Sequence, residues 1–114
     1  MTFETSEFSI HYENSINTIQ FKGTLRMNDM SEYMKIKKYL MDIYSLDTIK
    51  LIIDFSGLDF MNSAGISTFL KFIFEAKDEN KKPITIIGNK NFLWQVKSFE
   101  NLKKIWNSIE IQFK

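Results

Sequence analysis

The stretch from Leu51 to Leu70, LIIDFSGLDFMNSAGISTFL, decides how this chain folds. Its first five residues, Leu51-Ile52-Ile53-Asp54-Phe55, are apolar at nearly every position, the pattern of a central strand covered on both faces. Ser56-Gly57 closes that run, and Leu58-Asp59-Phe60-Met61-Asn62 reads as a loop. From Ser63 the period changes: Ile66, Phe69, Leu70, Ile73 and Lys77 follow helical spacing, which predicts a helix over 63–78.

Downstream, the polar run Asp78-Glu79-Asn80-Lys81-Lys82 stops the helix, Pro83 opens the strand Ile84-Thr85-Ile86-Ile87, and Gly88 closes it. A third helix is expected over about 91–101, with Phe92, Val96 and Phe99 on one side. Alternating Ile109, Ile111 and Phe113 mark a last strand, for which Leu102 to Ile105 is the competing position. Upstream, Phe8 to Tyr12 and Thr18 to Lys22 alternate apolar with polar around Asn14-Ser15, as in a hairpin, and Gly23 breaks the pattern. Asp29, with Glu32 three residues on, is placed to cap an amphipathic helix over about 30–45. Tyr33, Ile36, Leu40 and Ile43 form its apolar stripe, and Lys35, Lys37, Lys38 and Asp42 fall mostly on the other side. The order ββαβαβαβ predicts one α/β domain over 1–114, a mixed sheet of four to five strands with packed helices and Leu51 to Asp54 at its centre.

Composition narrows the function. A chain of 114 residues, 44% hydrophobic, can bury one core without disulfides or metal, and leaves no room for a second domain. Lys+Arg 15 against Asp+Glu 14 gives no strong field for nucleic acid or an anionic membrane, so neither is expected as a partner. Cysteine is absent, which removes thiolate chemistry and fits a reducing compartment, with the cytoplasm as the default. The N-terminal MTFETSEFSI has no basic stretch before an apolar run, and no stretch approaches the roughly 18 apolar residues of a membrane span. A soluble, unprocessed chain is expected.

Catalytic signals are thin. His11 is the single histidine and sits in an edge-like strand beside Ser9 and Glu13, where a solvated side chain explains it. Ser63-Ala64-Gly65-Ile66-Ser67 lacks the G-x-x-x-x-G-K-[ST] spacing of a phosphate loop. Asp54 and Asp59 read as ordinary strand-end and turn residues rather than cation ligands. No catalytic residue, metal or cofactor is expected. The paired lysines 37–38, 81–82 and 103–104 are dispersed among acids and read as solvated faces. Aromatic residues are many, and Phe72 or Trp94 is a candidate exposed anchor for a partner.

The Leu51 to Leu70 stretch resembles the signature of the STAS domain, the fold of the bacterial anti-sigma-factor antagonists. There a buried strand ends in an Asp, a short loop carries an apolar residue and Asp-Ser-[Ser/Thr/Ala]-Gly, and an apolar helix follows. The resemblance extends to the element order of nearly the whole chain. It implies a non-enzymatic, partner-switching regulator of transcription, with Ser63 phosphorylated by a kinase-type anti-sigma factor and restored by a cognate phosphatase. It implies a partner surface at Phe60, Met61, Asn62, Ser63, Ala64 and Gly65. The family's Asp before the serine is Asn62 here, which can cap and turn but cannot offer a carboxylate to the hydroxyl.

Three readings follow. In the first, phosphate on Ser63 switches binding to a kinase-like protein. In the second, the same fold is a constitutive scaffold or sensor, and Ser63 is the N-cap of its helix, worth about 1 kcal/mol. In the third, Asp54 is the acceptor of a receiver-like domain. That reading lacks the early acidic pair and late lysine at strand ends, since the first strands end in Glu13-Asn14 and Lys22-Gly23.

Overall fold

Strands β1 (Thr2–Glu4), β2 (Phe8–Glu13) and β3 (Thr18–Leu25) come first, with a 3-10 turn at Asn14–Ile16 between the last two. Helix α1 (Met30–Tyr44), strand β4 (Leu51–Met61), helix α2 (Ser63–Glu79) and strand β5 (Ile84–Gly88) follow. Helix α3 (Leu93–Glu100), the single turn α4 (Leu102–Ile105) and strand β6 (Glu110–Phe113) complete the chain. These elements come from a computed structural model, which describes residues 2–114.

Among the described residues the sheet has six strands rather than four to five, in the order β1-β2-β3-β4-β5-β6. The added strand is β1, whose three residues are too few for alternation to reveal. β1 and β2 pair antiparallel, as do β2 and β3; the later pairs are parallel. Leu102 to Ile105 is helical, so the last strand falls at Glu110–Phe113. With β1 outside it, β2 is an inner strand and His11 is not at an edge.

Sequential order has a consequence for the helices. Right-handed crossovers that all advance in one direction place every helix on the same face of the sheet. The row Tyr12, Ile19, Ile53 and Ile86 is buried, whereas the next row, His11, Gln20, Asp54 and Ile87, is only half-buried. β4 is therefore central but covered on one face, not on both. Its apolar run combines Ile53, buried under the helices, with Ile52, half-buried on the other face.

β4 also continues past Ser56-Gly57, to Met61. Its register against β3 slips twice, from Gln20↔Asp54 to Lys22↔Gly57 and from Gly23↔Leu58 to Thr24↔Phe60. Each slip inserts an extra residue in β4, a bulge that turns the strand over. Buried side chains consequently fall at Leu51, Ile53 and Phe55, then at Leu58 and Met61. Gly23 lies at this irregularity with φ 95, and a Cβ there would stand 2.2 Å from the Glu7 carbonyl oxygen. It bends the pair instead of ending β3.

The core centres on Phe55, whose ring lies 4.5 Å from Phe21, 4.9 Å from Phe69 and 5.2 Å from Phe99. Phe72 is fully buried in the same core, which removes it as an exposed anchor. At the opposite pole from the start of α2, the Tyr44 hydroxyl donates to Ala76 O at 3.1 Å and accepts Lys81 N–H at 2.9 Å. Lys82 is buried beside it, its amine bonded to Leu46 O and, at 2.8 Å, to Thr48 Oγ1. Burial pushes the pKa of that amine down.

Candidate functional site

β3, β4 and β5 run parallel, so their C-terminal ends and the starts of α1, α2 and α3 gather on one rim of the sheet, where open α/β folds place their sites. α2 begins at Ser63, but the residue that caps it is Asn62, with φ −73 and ψ 171. Asn62 Oδ1 accepts Gly65 N–H at 3.0 Å, and Asn62 O accepts Ile66 N–H at 3.0 Å. The N-cap reading of Ser63 is thus corrected by one position. Both are cap-forming residue types, and the backbone turns helical only after Asn62.

This shift leaves Ser63 without a structural duty. It is exposed, the first residue of α2, and its hydroxyl has no hydrogen-bond partner among the described residues. The positive end of the helix dipole lies beside it. Phe60 is 42% exposed, with Arg26, the chain's single arginine, 5.7 Å above its ring. Asn62 and Ala64 are half-buried. Met61 and Gly65 are buried and support the rim from beneath; a Cβ on Gly65 would meet Met61 Cγ at 2.5 Å and Tyr33 Cε1 at 3.1 Å.

The rim also includes residues that sequence reasoning missed. Met30 and Met34 are 47% and 48% exposed on α1. They share the α1 face of Lys37, whose amine reaches the Glu75 carboxylate of α2, and Ala64 shares the α2 face of Glu75. The two methionines therefore lie on the α1 side of the α1–α2 seam. Their signal in the sequence is a pair of apolar residues four apart that miss the Tyr33-Ile36-Leu40-Ile43 stripe. Asp29 caps α1 here, and hydrogen bonds from the Ser31 hydroxyl and amide hold its carboxyl below the usual range.

Trp94 is half-buried, its indole N–H bonded to Asp59 O at 2.8 Å, and the exposed apolar residue at the start of α3 is Leu93. Asp59 Oδ1 accepts the Thr24 hydroxyl at 2.8 Å. Asp54 lies inside β4 rather than at a strand end; it accepts Ser56 N–H at 2.8 Å and faces Lys114 Nζ at 3.9 Å. Among the described residues, no three His, Asp or Glu side chains are grouped to hold a metal ion. His11 Nδ1 lies 2.9 Å from Thr2 Oγ1 and its Nε2 3.6 Å from Glu13, an exposed pairing across β1 and β2. No described helix is long and apolar enough to cross a membrane.

No protein-family model matches the chain, and no curated protein does. Solved structures do. A chain of the complex between the diguanylate cyclase SiaD and its activator SiaC, from Pseudomonas aeruginosa, superposes with a TM-score of 0.75 at 11% identity, covering 100% of this chain and 99% of that one. An anti-sigma factor antagonist from Mycobacterium paratuberculosis gives 0.62 at 12% identity, covering 93% and 86%. The chain has a STAS-type fold. A protein from Shewanella loihica described as having a SpoIIAA-like fold agrees, with a TM-score of 0.53 at 19% identity, over 100% of this chain and 90% of that one. At such identities the fold is what is shared. This STAS-type fold carries Asn62-Ser63-Ala64-Gly65 at the turn from β4 into α2.

Proposed function

We infer that this chain is a non-enzymatic, cytoplasmic STAS-type regulatory module that binds a protein partner through the rim around Ser63. The observation that carries the reading is the exposed Ser63 at the start of α2, on a rim that also exposes the apolar side chains of Phe60 and, on α1, Met30 and Met34. Aromatic residues and arginine are favoured interface anchors, and methionine adapts to varied surfaces. Phe60 and Arg26 form such an anchor pair, and Met30 and Met34 extend it along α1. The partner is a kinase-type anti-sigma factor or a similar switch protein, with a cognate phosphatase acting on Ser63. Phosphate there would add about −2 charges. The helix N-terminus tolerates that charge, whereas a complementary interface would have to desolvate it.

A second reading is favoured by Asn62. Its side chain is committed to Gly65, Tyr33 and Met27, and it has no carboxylate to orient the Ser63 hydroxyl. In that reading the module binds constitutively, and its partner is another signalling enzyme, as SiaC is described as the activator of SiaD. Purification of the tagged chain from its host, followed by mass spectrometry, identifies the partner and measures the phosphorylated fraction of Ser63. Calorimetry on that partner is expected to show at least a tenfold loss of affinity for Ser63→Glu, with Ser63→Ala near wild type. Equal affinities for all three proteins would remove Ser63 from the docking surface, and an unphosphorylated Ser63 in the native complex would select the constitutive reading.

A further inference from the structure

The Met27 backbone, the Tyr33 hydroxyl and the Asn62 side chain form a closed ring in which each proton has one place to go. Met27 N–H donates to Tyr33 Oη at 3.0 Å. The hydroxyl's own proton goes to Asn62 Oδ1, which also accepts Gly65 N–H at 3.0 Å. With Oδ1 occupied as an acceptor, Nδ2 faces the Met27 carbonyl oxygen 3.1 Å away and donates to it. The orientation of the amide follows from its neighbours, since the reversed amide would set donor against donor and acceptor against acceptor.

We propose that the Asn62 amide is a positioning residue that clamps the β3–α1 turn, residues 26–29, to the start of α2, presenting both sides of the rim as one rigid surface. The docking role of that surface rests on the function inferred above; the clamp does not. A carboxylate at position 62 keeps both acceptor bonds, to Tyr33 and to Gly65. It brings a lone pair against the Met27 carbonyl where an N–H stood. Capping and clamping are thereby separable, because Asp and Asn are about equal as N-caps and only Asn also donates. The clamped turn holds Arg26 over Phe60 and leads directly into Met30, so its loosening would reach every exposed anchor of the rim.

Hydrogen exchange followed by NMR on the purified chain tests the clamp without any partner. In Asn62→Asp, the Gly65 and Ile66 amides should keep their protection while the Met27 amide, still bonded to Tyr33 Oη but in a turn whose carbonyl has lost the Asn62 donor, exchanges about tenfold faster. Tyr33→Phe should loosen Met27 in the same way and leave the Asn62 cap on Gly65 in place. Asn62→Ala should lose both; if it fails to fold, the other two variants decide. Wild-type protection of Met27 in Asn62→Asp would overturn the proposal, because Asn62 would then be a cap and nothing more. With a partner in hand, Asn62→Asp should weaken binding although Ser63 is intact. A loosened turn with unchanged affinity would overturn the clamp's role in docking, an outcome distinct from equal affinity for Ser63→Glu, which removes the docking surface itself.

Discussion

The two halves of β4 are held in different ways. Leu51 to Asp54 has strands on both sides, β3 and β5, and any apolar residue that fits the pleat satisfies such a ladder. From Phe55 onward β5 no longer pairs with it, and the start of α3 takes its place. Side chains then do what a neighbouring strand did: fully buried Gln95 donates through Nε2 to Phe55 O at 2.7 Å and to Leu58 O at 2.8 Å, and accepts Asn89 N–H at 2.7 Å. Asn89 Nδ2 reaches Ser56 O at 3.2 Å, and the Trp94 indole reaches Asp59 O. A ladder repeats and tolerates substitution, whereas each of these bonds is tied to one residue. The second half can therefore carry two bulges and still deliver Phe60 and Asn62 to defined places on the rim.

Five substitutions test this contrast. Phe55→Ala, at the junction of the halves, removes a ring packed on Phe21, Phe69 and Phe99 and should cost about 3–5 kcal/mol in urea denaturation. Gln95→Leu preserves volume but strands two carbonyls and one amide, for about 2–4 kcal/mol. Its hydrogen exchange should rise over 55–61 and not over 51–54; a uniform rise would erase the distinction between the halves. Gly65→Ala pushes a methyl into Met61 and should cost about 1–3 kcal/mol, read as a lower thermal midpoint. The last pair sharpens the site: Asn62→Ala loses the cap on Gly65 together with the bonds to Tyr33 and Met27 and should cost at least about 1 kcal/mol. Ser63→Ala should stay within about 0.5 kcal/mol. Equal costs at the two positions would return the cap to Ser63.

The legible parts of the fold are those with a local period. The helices expected over 30–45, 63–78 and 91–101 are found at 30–44, 63–79 and 93–100, because an apolar stripe every three to four residues has one geometric solution. The second half of β4 was not legible. Its bulges reset the alternation, so Leu58 and Met61, both buried, stand three residues apart and read as loop. At the candidate site, the sequence singled out the turn from Phe60 to Gly65 but placed the cap on Ser63. Two adjacent cap-forming residues look alike until the backbone chooses between them. Met30 and Met34 were visible only as apolar residues off their stripe.

The sequence by itself determined the order of the elements from β2 to β6, apart from the single turn α4, the central place of Leu51 to Asp54 and the STAS-like loop, since these depend on short-range periodicity and on turn residues. The tertiary structure alone decided which face of the sheet is covered, that Gln95 replaces a strand beside Phe55 and Leu58, and that Asn62 joins Met27 to Gly65. Those outcomes depend on contacts between residues about 30 to 40 positions apart, and no local pattern records whether a polar side chain will find solvent or an orphaned backbone group. The exposure of Ser63 follows from the same accounting: Asn62 caps the start of the helix, and the serine next to it is left exposed with no capping role.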